Sequence, residues 1–280
     1  MILPTLIVPN RINNKLKYLS PDTPEDSTNK HQFDSWPSEI SYEFNSRGFR
    51  DREWPKDLDK CVWFLGDSVV LGIGQSLPDT LCSRFENITG LTAVNLGVRG
   101  ISNHTTAYMA QQVLNEVQPT NLVIFWSYFR RRPKKDTYDF LIEGCKDPTK
   151  SDDVKDMLYF RNLVRHLPTN FKTNIIHVFC PGYSIFGQSS AQNIWCDIKD
   201  PLWPPEFIGL DHLPSNIVEE ISCVHGLYTF FKNVTEWNNF KNSFEHAVDN
   251  IVIQDLARDN YHWGSETNKS VVLEIQKRLK

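Results

Sequence analysis

The feature that most constrains this chain is an alternation of short, continuously apolar runs with segments of helical period. Cys61-Val62-Trp63-Phe64-Leu65-Gly66, Leu91-Thr92-Ala93-Val94-Asn95-Leu96, Asn121-Leu122-Val123-Ile124-Phe125-Trp126 and Ile175-Ile176-His177-Val178-Phe179-Cys180 each read as a buried strand, and Ile251-Val252-Ile253-Gln254 reads as a fifth. Residues 78–88 have helical spacing, with Gly90 as a stop. Ser102 is placed to cap a helix over 103–117, where Ala107, Ala110, Val113, Leu114 and Val117 share a face. Further helices are expected over 152–166 and from about Ser265 to Leu279, the latter with Val271, Val272, Ile275 and Leu279 inward. Strands alternating with helices give a parallel sheet covered on both faces. Such sheets collect their chemistry at the carboxyl ends of the strands.

Two stretches fall outside this rhythm. Residues 1–40 have no clear period, and Ser20-Pro21-Asp22-Thr23-Pro24-Glu25-Asp26-Ser27-Thr28 is turn and loop chemistry, so this part reads as an N-terminal arm or wrapping segment. The folded domain is then 41–280. Within it, 181–240 is rich in Trp, Phe, Pro and Gly and too long for an ordinary loop, so it reads as an insertion beside the active-site face. Its rings (Trp195, Trp203, Phe207, Tyr228, Phe230, Phe231 and Trp237) fit either a small core of its own or a platform for sugar faces.

Composition removes several function classes. A net charge of −4 over 280 residues gives no field that selects nucleic acid or an anionic membrane. No membrane span is visible. The apolar N-terminus is short, broken by Pro4 and Pro9 and preceded by no basic residue, so no signal peptide is expected and the protein reads as cytoplasmic or otherwise soluble. The six cysteines are scattered without a CxxC pair and read as free thiols, not as a disulfide framework or zinc site. No cofactor is expected: Gly72-Ile73-Gly74 lacks the third glycine of a dinucleotide fingerprint, and no P-loop or HExxH occurs.

Two short segments carry chemistry. Gly66-Asp67-Ser68 follows the first strand and puts a serine at the sheet's carboxyl edge, although an Asp-Ser pair there is also ordinary helix-capping chemistry. Asp259-Asn260-Tyr261-His262-Trp263-Gly264 follows the last expected strand. An Asp and a His three residues apart lie on one side of a turn, where the carboxylate can hold imidazole Nδ1–H and leave Nε2 to take a serine proton. Only a sheet that gathers both edges can unite Ser68 with Asp259 and His262.

With Asn95-Leu96-Gly97-Val98-Arg99-Gly100 between them, these blocks resemble the SGNH/GDSL hydrolases over roughly residues 41–280. The resemblance implies a flavodoxin-like, three-layer α/β/α sandwich on a mainly parallel five-stranded sheet, with metal-free esterase or deacetylase chemistry. It carries over Ser68 as nucleophile, Asp259 and His262 as the activating pair, and Gly100 as a backbone oxyanion donor. An O-acylated carbohydrate or similar ester is the implied substrate. One departure stands out: the family's Asn after the third strand is missing from Phe125-Trp126-Ser127-Tyr128-Phe129-Arg130. Ser127, Tyr128 or Arg130 would have to donate in its place, and one lost oxyanion donor costs about 2.7–4 kcal/mol of transition-state stabilisation. The alternative is an inactive or weakly active member serving as a binding or structural module within a larger assembly. Acyl transfer would use the same residues as hydrolysis. The basic run Arg130 to Lys135 suits an acidic group or a solvated loop.

Overall fold

The computed structural model describes residues 3–127 apart from 4, 28 and 38, then 131–133, 141, 145–146, 163, 167, 172–179, 247–248, 251 and 253–280. Its elements are β1 (Lys15–Leu16), α1 (Lys30–Asp34), β2 (Tyr42–Glu43), β3 (Val62–Gly66), α2 (Ser68–Leu71), α3 (Leu81–Thr89), β4 (Ala93–Gly97), α4 (Asn103–Glu116), β5 (Asn121–Trp126), β6 (Arg132–Pro133), β7 (Cys145–Lys146), β8 (Asn174–Phe179), β9 (Ala247–Val248) and α5 (Ser265–Gln276).

The central sheet has the order β4-β3-β5-β8-β9 with every neighbour parallel. In chain order that is the 2-1-3-4-5 pattern of doubly wound, flavodoxin-like sheets. Period-two alternation sends successive side chains to opposite faces. Trp63 and Leu65 of β3 join Leu122, Ile124 and Trp126 of β5 under α4 and the N-terminal Leu3, Leu6 and Val8. Val62 and Phe64 join Val123 and Phe125 under Leu81 and Phe85 of α3 and Val271, Val272 and Ile275 of α5. Both faces are therefore apolar, which is why these strands read as continuous apolar runs.

Gly90 and Ser102 close and cap the helices as expected, and Thr80 adds a cap that the sequence reading does not name. The Thr80 hydroxyl accepts from Ser83 N at the start of α3, Gly90 closes it in the left-handed region, and Ser102 caps α4 by accepting from Thr105 N. The fifth strand differs from expectation. It is the short β9, pairing Ala247 and Val248 with His177 and Val178 of β8, and residues 251, 253 and 254 lie outside the ladder. Ile251 is buried and Ile253 packs on the α3–α5 side of the core, so burial without pairing produced a strand-like apolar run. Apart from residue 163, the helix expected over 152–166 lies outside the described residues, as does the 181–240 insertion.

The N-terminal segment is packed on the sheet domain. Its β1 pairs antiparallel with β2, and Leu19, Ile40 and Tyr42 form a third apolar cluster with Leu71 and Ile73. Arg50 pins the neighbouring turn. Its buried guanidinium donates to the carbonyls of Gly72, Ser41 and Gln75 while lying over the Tyr42 ring. Burial pushes the Arg50 pKa down to about 10, against the pull of Tyr42 and Asp22. Among the described residues no helix is long and apolar enough to cross a membrane.

Candidate active site

β3 ends at Gly66, and Asp67 caps the four-residue α2 by accepting from Val69 N through Oδ1 at 3.1 Å. Asp67 thus performs the capping role that its residue type favours. Ser68 opens α2 and is half-buried, with buried Val69, Val70 and Leu71 behind it. The position is the carboxyl end of β3 beside β5, where the strand order reverses and such sheets open a crevice. Two contacts fix α2 there. Asn95 Nδ2 donates to Val70 O at 2.9 Å while its Oδ1 accepts from Gly97 N at 2.8 Å. Gly97 itself faces the α2 backbone so closely that a Cβ would sit 2.6 Å from Leu71 Cα and Val70 C.

The other Asp67 oxygen organises the end of β5. Oδ2 accepts from the Ser127 hydroxyl at 2.6 Å and from Arg131 Nη1 at 3.0 Å, and Arg131 Nη1 also donates to Ser127 Oγ at 2.7 Å. The Ser127 hydroxyl is therefore engaged with Asp67. Asn103 of α4 clamps the Ser127 backbone from both sides, accepting its N–H at 2.7 Å and donating to its carbonyl at 2.8 Å. Gly100 lies in the turn between β4 and α4. Tyr128 and Arg130 lie outside the described residues.

The Asp259–His262 segment is a tight loop with both functional side chains buried. Ala257 N donates to His262 O at 2.8 Å and Asn260 N to Ala257 O at 2.9 Å. Asp259 Oδ1 accepts from the N–H groups of Tyr261 and His262, both at 3.1 Å, and Oδ2 stands 2.5 Å from His262 Nδ1. Asp259 and His262 are 2 % and 3 % exposed. Burial pushes the Asp259 carboxyl up, but the His262 ring and these N–H donors outweigh it, and the net direction is down. An ionised carboxylate can only accept, so Nδ1 carries the proton between them, and in the neutral ring Nε2 is the acceptor.

This loop meets the segment that follows Ser68. Arg258 N donates to Gly74 O at 2.9 Å, and the Gln75 side-chain amide donates to Trp263 O. Gly74, with φ +74°, approaches so closely that a Cβ there would lie 2.9 Å from Asp259 Oδ1. Ile73 N in turn donates to Ser68 O at 3.2 Å, so one short turn connects Ser68 to the wall of the Asp259 loop. The Ser68 hydroxyl makes no hydrogen bond to His262 among those the described residues form.

Sequence reasoning missed several residues that build this site. Asp67 is a hub as well as a cap, and Arg131 reaches it. Asn95 reads in the sequence only as part of a block, although a buried Asn in the middle of an apolar strand signals a backbone clamp. No family model matches this chain, and no curated protein does. Among solved structures, one similar chain is a carbohydrate esterase family 2 enzyme with a carbohydrate binding domain from Corynascus thermopiles (Myceliophthora fergusii). It is 14% identical with a TM-score of 0.36, and the match covers 81% of this chain and 66% of that one.

Proposed function

We propose that the protein is a serine-dependent ester hydrolase of SGNH type that removes O-acyl groups from a carbohydrate or similar ester. The observation that carries this reading is the buried Asp259–His262 pair at 2.5 Å, in a loop packed against the turn that follows Ser68. Asp259 orients the ring. His262 Nε2 takes the Ser68 proton, Ser68 Oγ attacks the ester carbonyl, and the backbone N–H groups of Ser68 and Gly100 hold the oxyanion. His262 then returns the proton to the leaving alkoxide, and water activated by the same ring releases the acyl group. Nucleophile–base hydrogen bonds are often long before substrate binds and tighten in the complex, so Ser68 and His262 need not already be bonded. Tyr261, edge-on to the His262 ring and 36% exposed, offers an aromatic surface of the kind that packs on sugar faces.

A second reading uses the same fold as a binding module, and the engagement of the Ser127 hydroxyl with Asp67 favours it, since a hydroxyl donating there is occupied away from an oxyanion. Covalent labelling separates the two. The hydrolase reading expects a fluorophosphonate to label Ser68 stoichiometrically, Ser68→Ala to abolish labelling, and p-nitrophenyl acetate to be cleaved by wild type alone. Folded wild type that stays unlabelled, beside a labelled serine esterase, supports the binding module instead.

A further inference from the structure

We infer that Asp22, in the N-terminal segment, is a positioning residue for the Asp259–His262 pair; the inference deepens the proposed hydrolase reading. Arg258 immediately precedes Asp259, and its guanidinium is held by Asp22 through two hydrogen bonds, Nε to Oδ1 at 2.8 Å and Nη2 to Oδ2 at 2.6 Å. Asp22 is fully buried and the Arg258 side chain is 8% exposed. A bidentate pair of this kind fixes orientation as well as charge. The Tyr42 hydroxyl donates to Asp22 Oδ2 and accepts from Gly74 N at 2.8 Å. Gly74 O then accepts from Arg258 N, so a closed ring of contacts runs Asp22, Arg258, Gly74, Tyr42 and back to Asp22. Its members touch both the loop bearing Asp259 and the turn that follows Ser68. Two further contacts come from α1: Gln32 Nε2 donates to Ala257 O at 2.9 Å, and Arg258 lies 4.5 Å from the Phe33 ring centroid.

The chemistry makes Asp22 hard to replace. Removing one member of a buried ion pair leaves the other charge uncompensated, which costs more than the pair itself contributes. Here the orphan would be a guanidinium one residue from the carboxylate that orients His262. Asp259 is its chain neighbour on that loop, and a guanidinium that turned to it would compete with the His262 ring for the same oxygens. The N-terminal segment therefore sets the geometry of a pair more than two hundred residues further along the chain.

The test uses the full chain and compares wild type with Asp22→Asn. One readout is the low-field proton resonance of the His262 Nδ1–H···Asp259 bond, assigned by its loss in His262→Gln. The other is the second-order rate of fluorophosphonate labelling of Ser68. In folded Asp22→Asn the resonance is expected to disappear or move upfield, and labelling to slow by roughly ten- to a hundredfold, the scale of an ångström-sized misplacement. Folded Asp22→Asn that keeps both the resonance and the labelling rate, with only a lower Tm, overturns the inference. Should Asp22→Asn fail to fold, Tyr42→Phe, which keeps both charges, is judged by the same readouts in the same directions. If wild type is never labelled but Asp22→Asn loses the resonance, the positioning role stands and the hydrolase reading falls.

Discussion

Gly97→Ala probes how α2 is seated. The change adds one methyl group at the carboxyl end of β4, where the new Cβ would lie 2.6 Å from both Leu71 Cα and Val70 C and closer still to Leu71 N. Carbon–carbon contacts settle near 3.5–4.0 Å, so α2 must retreat by about 1 Å. The opposing atoms are backbone, and no rotamer change relieves them. The retreat strains the Asn95–Val70 hydrogen bond and displaces the whole short helix, Ser68 included. Overpacking of this kind costs about 1–3 kcal/mol, and a 1 Å displacement of the nucleophile slows its chemistry by about a hundredfold. Gly90→Ala is the control. A Cβ there meets nothing within 4 Å, and only its φ of +72° opposes the change, at about 1–2 kcal/mol. Thermal melts and fluorophosphonate labelling rates, measured well below Tm, separate the two variants. Both should lower Tm, but only Gly97→Ala should slow labelling of the folded protein. Unchanged labelling in folded Gly97→Ala would refute the claim that β4 seats the nucleophile.

Three further outcomes follow from groups around this frame. Burial pushes the Asp51 carboxyl up to about 7, despite the N–H groups of Asn95 and Arg52 and the nearby guanidinium. Folding thus favours its protonated form: the stability it contributes is present below about pH 4, the ordinary carboxyl range, and is lost as pH rises through about 7. Asp51→Asn keeps an acceptor for Asn95 N and should stabilise the protein at pH 8 by on the order of 1–3 kcal/mol, with no gain at pH 4; denaturant melts showing equal shifts at both pH values would contradict this. Asn95→Ala removes two buried hydrogen bonds at 2.9 and 2.8 Å and should cost about 1–3 kcal/mol, read from the same melts. Cys82 is buried on the inner face of α3 with its thiol pushed well up by desolvation, so a disulfide reagent should leave it unmodified until denaturant is added; rapid native-state modification, located by mass spectrometry, would count against that packing.

The parts of the fold legible in the sequence are those whose physics is periodic. β3 and β5 are apolar because helices cover both faces, and α3 and α4 announce themselves through Gly90 and Ser102. The same rule explains the misplaced fifth strand. An apolar run reports burial, and at Ile251 and Ile253 burial comes from packing against the α3–α5 side of the core without ladder bonds. Ser68 stands out in the sequence because it follows the apolar run of β3, and Asp259 and His262 because an Asp and a His stand three residues apart. Their supports do not. Asp67 looks like a cap because it is one, and nothing in its spacing shows that its second oxygen holds Ser127 and Arg131.

The N-terminal segment is the harder case, and the reason is physical. Leu3, Leu6 and Val8 fill a hollow beside the sheet with no repeat that a helix or strand would impose. Asp22 sits among prolines and hydroxyl residues, so local composition reads it as a turn former. Its value comes from Arg258, a residue that by itself looks like a solvated charge. Neither side chain signals a partner, because ion pairing is set by where the folded chain brings them. The exclusion of water around Asp22 then makes the pair matter: a charge buried that deeply is tolerable only with a partner of fixed geometry. A substitution at Asp22 should therefore be felt first at the Asp259 loop, well before the sheet beneath it.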